Sequence, residues 1–216
     1  MQFQVAPSLL AADFLHLEDE VRKVNRSGDI LHLDVMDGTL VPNISFGFSV
    51  IEAVAPVCTV PMDAHLMVVE PQLWFERLAA LGVQMCSFHL EAAGERTAEF
   101  IDRIHELGMK AGVAINPDVP VESLFPYVGK ADWFLLMSVF AGFGGQKFIP
   151  ATLGRVRELK AEIAARGFNT PVQIDGGVCR ANVGEIKAAG VDIAVAGSAV
   201  FSAPDPEAAV AALRQG

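Results

Sequence analysis

The sequence is poor in three things, and each shortage removes a class of function. It has no long apolar run. Although 52% of its 216 residues are apolar and its mean hydropathy is +0.38, Asp, Gly or Pro breaks every stretch before the ~18 residues of a membrane span. No membrane association is expected. Basic residues are also few, with 16 Lys and Arg against 26 Asp and Glu, a net charge of -10. Nucleic acid, which needs a basic face, is therefore not an expected partner. A small phosphorylated substrate is still allowed, because backbone amides bind phosphate without lysine. Cysteine is scarce too: Cys58, Cys86 and Cys179 are odd in number and form no Cys-x-x-Cys pattern. That argues against a disulfide framework and points to a reducing cytoplasm. The start, Met1 to Phe14, lacks a basic segment and meets Asp13 early, so it does not read as a signal peptide.

What is present is a regular alternation. Strand-like runs fall at Gln4–Leu9, Ile30–Val35, Met62–Met67, Met85–His89, Lys110–Ile115, Trp133–Met137, Val172–Ile174 and Ile193–Ala196. Helical periods fill Asp13–Ser27, Pro71–Leu81, Arg96–Leu107, Ala151–Arg166, Ala181–Ala189 and Asp205–Arg214. Shorter helices are expected after the second strand and near Pro120–Tyr127. Gly28, Gly82, Gly108, Gly167 and Gly190 stand where helices should stop. Strict alternation predicts a parallel sheet, and eight units predict closure into a (β/α)8 TIM barrel over one domain, residues 1–216. The competing architecture is an open doubly wound sheet. It is disfavoured because Ala6-Pro7-Ser8, not a dinucleotide fingerprint, follows the first strand.

Ser8, Asp34, His65, His89, Asn116, Asp175 and Gly197-Ser198 all fall at or just past the C-terminal ends of these strands. That is the rim on which barrel enzymes carry their chemistry. Residues i and i+2 of a strand share a side, so His32 and Asp34 reach the same point. With His65 and Asp175 they make a donor set for one divalent cation: Zn2+, Mn2+, Fe2+ or Co2+. Any one of these histidines alone reads better as a hydrogen-bonded interior residue. The four together do not, because two buried carboxylates need a cation or a proton to share. Asp37, before Gly38, reads as a turn residue. Met36, Met67 and Met137 read as core and as an apolar wall.

Three glycine-bearing loops follow the last three strands: Gly142-Phe143-Gly144-Gly145-Gln146, Asp175-Gly176-Gly177 and Gly197-Ser198. Singly each is a turn; side by side on one corner of the rim they suit an anionic phosphate. Residues 142–146 also suit a lid that excludes water. A cation beside two carboxylates, opposite a phosphate anchor, suits proton abstraction next to a carbonyl. If Asp34 and Asp175 face opposite sides of that carbon, one removes a proton and the other returns one, giving an epimer.

These motifs resemble the ribulose-phosphate 3-epimerase family over essentially the whole chain. The matching stretches are Ala6–Phe14, His32–Gly38, Val41–Ile44, Asp63–Met67, Gly142–Gln146, Asp175–Gly177 and Ala196–Ser198. The resemblance implies a barrel of the ribulose-phosphate-binding type. It implies one divalent metal per subunit on His32, Asp34, His65 and Asp175, with Asp34 and Asp175 as the catalytic proton acceptor and donor. Ser8 and His65 would contact the sugar. Gly142, Phe143, Gly144, Gly145, Gly176, Gly177, Gly197 and Ser198 would hold the phosphate end. The implied reaction interconverts D-ribulose 5-phosphate and D-xylulose 5-phosphate in pentose phosphate metabolism, by a cytoplasmic homo-oligomer.

One departure stands out. Where the family usually reads Asn-Pro before Gly-Phe-Gly-Gly, this chain has Phe140-Ala141. An altered lid is expected, with weaker turnover of the usual pentulose or tolerance of another ketose phosphate. The nearest rival, a D-allulose 6-phosphate 3-epimerase, favours alanine at the position of Gly144 and lacks the Asp-Gly-Gly motif, so both features side with the pentulose. A decarboxylase or lyase on the same barrel needs a lysine–carboxylate array, and no lysine lies in His32–Asp37. A catalytically idle phosphate-binding barrel would not be expected to keep both Asp34 and Asp175.

Overall fold

The computed structural model describes residues 2–216. Eight parallel strands form the barrel: β1 (Gln4–Pro7), β2 (Leu31–Met36), β3 (Met62–Met67), β4 (Met85–His89), β5 (Lys110–Ile115), β6 (Trp133–Met137), β7 (Val172–Asp175) and β8 (Ile193–Ala196). Neighbours in sequence are neighbours in the sheet from β2 to β8, and β8 pairs with β1. An isolated parallel bridge between Ser8 and His32 closes the ring. The expected TIM barrel is present, and the open sheet is not.

Around it run α1 (Leu17–Ser27), α2 (Phe48–Val54), α3 (Gln72–Ala80), α4 (Leu90–Ala93), α5 (Thr97–Glu106), α6 (Thr152–Ala165), α7 (Val183–Ala188), α8 (Ser198–Phe201) and α9 (Pro206–Gln215). Outward strand residues such as Leu33, Leu66, Phe88, Val113, Leu136 and Ile174 pack against these helices in the main core. Burying each such side chain is worth about 1.5–3 kcal/mol.

Several boundaries move from their expected places, each for a local reason. β1 stops at Pro7 and not Leu9, because β8 ends at Ala196 and offers nothing beyond the Ser8 amide to pair with. The chain then turns into a 3-10 segment, Leu9–Ala11. α1 starts at Leu17, after a 3-10 turn over Phe14–His16 whose first residues are held by the Asp13 side chain accepting the Leu15 amide at 3.0 Å. The segment near Pro120–Tyr127 is 3-10, not α, and Pro126 inside it has no N–H to give to an α ladder. The short helices α4 and α8 were not anticipated. Four of the five stop glycines have φ between 76° and 99°, as a helix end asks of glycine. Gly28 is the exception, with φ -76°. A Cβ there would lie 2.8 Å from Val24 and 3.1 Å from Pro7, so its role is space, not conformation.

The inward positions decide function. Alternation sends His32 and Asp34, Asp63 and His65, Ser87 and His89, and Gln173 and Asp175 into the barrel. All but Asp175 are buried. Beneath them the Trp133 indole, between β5 and β7, donates to Gln173 Oε1 at 2.8 Å. Its partner in register on β5 is Gly112, where any Cβ would overlap the indole ring.

Gly112→Ala should therefore lower stability by about 1–3 kcal/mol, the usual cost of overpacking a filled core. Chemical denaturation checks this. An unchanged midpoint and slope would show that the indole is free to move aside.

Candidate active site

β2, β3 and β7 each bring ligand-type side chains to one point. One donor atom from each of His32, Asp34, His65 and Asp175 lies within 4.8 Å of the others. His32 Nε2 is 3.3 Å from Asp34 Oδ1 and 3.8 Å from Asp175 Oδ2. His65 Nδ1 is 3.2 Å and 3.6 Å from the same two oxygens. Four donors around one tetrahedral ion at ~2.0–2.2 Å stand ~3.3–3.6 Å apart. The residues fit such an ion. His32 Nε2 supports the fit directly, because it is buried and has no hydrogen-bond partner.

The surroundings aim that nitrogen. His32 Nδ1 lies 2.9 Å from Asp63 Oδ2, a carboxylate oxygen that also accepts from Gln173 Nε2 at 2.8 Å. Such a carboxylate behind a histidine fixes its tautomer and leaves the other nitrogen bare. Asp34 is held on two sides: the Ser8 hydroxyl donates to Oδ2, and Ser45 Oγ donates to the Asp34 carbonyl at 2.5 Å.

Charge follows from this packing. Burial alone pushes the His32 imidazole down, but the Asp34 and Asp63 carboxylates overcome it and hold it well above its usual value. Burial likewise pushes His65 down, and hydrogen bonds with Asp175 and Asp34 reverse the direction. Burial would raise Asp34, yet His32 and His65 keep it far below the ordinary carboxylate range. Without an ion, imidazole protons balance the carboxylates; an ion would replace those protons.

Above the cluster opens a cavity of about 890 Å3 whose floor includes Ser8, Asp34 and Asp175, with Met36, Met67 and Met137 as its apolar wall. Its rim is the glycine-bearing loops: Gly142 to Gly145, Gly176, Gly177, Gly197 and Ser198 all line it.

With this geometry in view, comparison with known proteins is decisive. Residues 4–201 match the Ribulose-phosphate 3 epimerase family. Ribulose-phosphate 3-epimerase of Mycobacterium bovis is 44% identical over 211 residues, covering 98% of this chain and 91% of that protein. The chain belongs to the ribulose-phosphate 3-epimerase family. Enzymes of the same printed name from Escherichia coli (strain K12) and Synechocystis sp. are 43% and 41% identical, across 94% and 97% of this chain and 91% and 92% of theirs. Among solved structures, 3-hexulose-6-phosphate synthase superposes with a TM-score of 0.65 at 21% identity, covering 100% of this chain and 99% of that one. Orotidine 5'-phosphate decarboxylase from Pyrococcus horikoshii gives 0.68 at 11%, covering 98% and 97%. At such identities these two share the barrel alone.

The chain is thus an epimerase, and its family motifs can be placed in space. Ser8, Asp34 and Asp175 reach the cavity; His32 and His65 lie beneath it, fully buried, behind the two carboxylates. Phe143 stands half out of the rim. Asp37 is a turn residue, as expected: its carboxylate accepts the amides of Thr39, Leu40 and Val69 at 2.8–3.0 Å. Gly176 and Gly177 also have a packing role, since a Cβ would strike Val139 at the first and the Phe148 backbone at the second. Gly144 has no such reason. Its nearest neighbour to a Cβ would be Leu10 at 4.0 Å, so the space it leaves belongs to the cavity.

In this epimerase the altered lid sequence has a structural consequence of its own. Phe140 is half exposed and does not line the cavity. Ala141 donates its amide to Asn116 Oδ1 at 3.0 Å, a bond proline cannot make. Asn43 Nδ2 donates to the Gly142 carbonyl at 2.8 Å from the opposite side. These two bonds tether the base of the loop.

Sequence reasoning missed Asp63, Gln173, Ser45 and Glu91. The first two carried a signal: they stand two residues before His65 and Asp175, hence on the same inward face. Ser45 and Glu91 lie outside any strand, and only the fold brings them in.

Metal affinity should fall with acid. The folded imidazoles hold protons above the usual histidine range, so an ion must displace them, and apparent Zn2+ affinity should rise as pH goes from 6 to 8. Calorimetry in buffers of different ionisation enthalpy should show proton release on binding. Affinity independent of pH, with no release, would count against this cluster as the metal centre.

Proposed function

We propose that this epimerase interconverts D-ribulose 5-phosphate and D-xylulose 5-phosphate. The observation that carries the reading is the convergence of two carboxylates, Asp34 from β2 and Asp175 from β7, on one cavity floor. The names of the relatives, all ribulose-phosphate 3-epimerases, supply the substrate.

In one direction Asp34 accepts the C3 proton from one face of the sugar, and Asp175 gives a proton to C3 from the other. The electron pair left by the C–H bond passes into the neighbouring carbonyl and returns when the new C–H bond forms. In the reverse direction the roles exchange. His32, Asp34, His65 and Asp175 would hold a divalent ion, which would supply positive charge to lower the cost of the negative charge that builds on the substrate. Ser8 keeps Asp34 oriented by donating to Oδ2, and its position on the floor suits contact with the sugar, whereas His65, buried behind the carboxylates, acts through them. The methionine wall keeps water from the carbanionic carbon.

The phosphate end sits at the glycine rim in this reading. Gly144, bare without a packing reason, allows the lid backbone to approach the anion closely, and Gly197, just past β8, and Ser198, which opens α8, offer amides.

Incubating protein and Mn2+ or Zn2+ with D-ribulose 5-phosphate in deuterated water tests this. NMR should show xylulose 5-phosphate carrying deuterium at C3. Asp175→Asn should lower turnover by about 10^2–10^4-fold, the usual worth of a positioned acid or base. Full activity in that variant would remove Asp175 from the proton transfer. No product and no exchange from metal-loaded protein, with turnover of a hexulose phosphate instead, would move the substrate to D-allulose 6-phosphate.

A further inference from the structure

The two-carboxylate reading leaves a third interior imidazole unused. His89 closes β4, is fully buried and does not line the cavity. Its ring lies nearly parallel to that of His65, 5.1 Å between centroids and 18° between planes, with the Nε2 edges facing. The two Nε2 atoms are 3.0 Å apart. At that distance they share one proton: one nitrogen donates and the other accepts.

Which one donates is set from the far end of the chain of bonds. His89 Nδ1 faces Glu91 Oε1 at 3.5 Å. That oxygen already accepts the backbone amide and the side-chain Nδ2 of Asn116, both at 3.0 Å. Asn116 cannot be turned round, because its Oδ1 takes the Ala141 amide. Glu91 therefore meets His89 as an acceptor, and His89 Nδ1 carries the proton. His65 faces two carboxylates, whereas His89 faces one whose oxygen already takes two hydrogen bonds, so the shared proton belongs to His65: His89 Nε2 is bare and His65 Nε2 donates to it. Only His65 Nδ1 is then left to give up its proton, and it is the nitrogen that faces Asp34 and Asp175.

From this geometry we infer that His89 and Glu91 are positioning residues: they pin the His65 proton on Nε2 and so present Nδ1 to a metal ion, with Asn116 locking the outer end. His32 gets the same service directly from Asp63; His65 gets it through a second imidazole. The inference rests on the metal-centre reading.

The test uses the intact protein and zinc. Long-range 1H–15N spectra of the zinc-loaded protein should show His65 protonated at Nε2 and metal-bound at Nδ1. His89→Leu, which removes the acceptor, should weaken zinc binding about ten- to a hundredfold in competition with a chelating dye. Glu91→Ala, which removes the oxygen facing His89 Nδ1, should weaken it in the same direction. His89→Gln, which returns an oxygen acceptor, should recover most of the loss. Zinc on His65 Nε2, or His89→Leu binding zinc as tightly as the unaltered protein, overturns the relay alone. An unaltered protein that takes up no zinc overturns the metal centre and the relay together. Should His89→Leu fail to fold, the spectrum of the unaltered protein still decides.

Discussion

The interior of this barrel contains more acid than an apolar core can hold, and the rest of the site depends on how that acid is balanced. Asp34 and Asp63 are buried and Asp175 is nearly so, with no lysine or arginine among the buried residues. An ionised carboxylate out of water costs several kcal/mol unless it is paired and hydrogen-bonded. Here the pairing is supplied by His32 and His65, groups that can hold either a proton or a metal ion. The same requirement that keeps the fold intact thus prepares a place for a divalent cation. Stability and chemistry meet on the same atoms.

That balance is spread along a continuous line of polar contacts. It starts at the Trp133 indole and runs through Gln173 and Asp63 to His32. It crosses Asp34 to His65, and continues through His89, Glu91 and Asn116 to the backbone of the lid at Ala141. On either side of the cluster the hydrogen bonds fix donor and acceptor roles, and in its middle His32 Nε2, 3.3 Å from Asp34 and without a hydrogen bond, is left for an ion. Networks of this sort are worth more than their bonds taken singly.

Much of this could be read in the sequence. The eight strands stand close to where periodicity places them, since a βα unit carries its own signals: β-branched runs, helical stripes and terminal glycines. His32, Asp34, His65 and Asp175 were legible because strand alternation and the C-terminal rim restrict where chemistry can sit. What was not legible depends on contacts between distant strands. No local pattern tells that Gly112 makes room for Trp133, or that Gln173 reaches Asp63 across 110 positions of sequence. Nor does Ala141 announce a hydrogen bond; its meaning as a donor appears only once Asn116 lies opposite. The short helices α4 and α8 are stretches of four residues set by the strand ends before them, too brief for periodicity to show.

The indole beneath the polar column has one more implication. Trp133 is almost completely buried, with the apolar Ile30 and Ile193 also closed off near the same end of the barrel. The barrel is therefore a cul-de-sac with a single mouth at the glycine rim. Whatever fills that mouth therefore also decides when the four-residue cluster beneath it is cut off from the solvent.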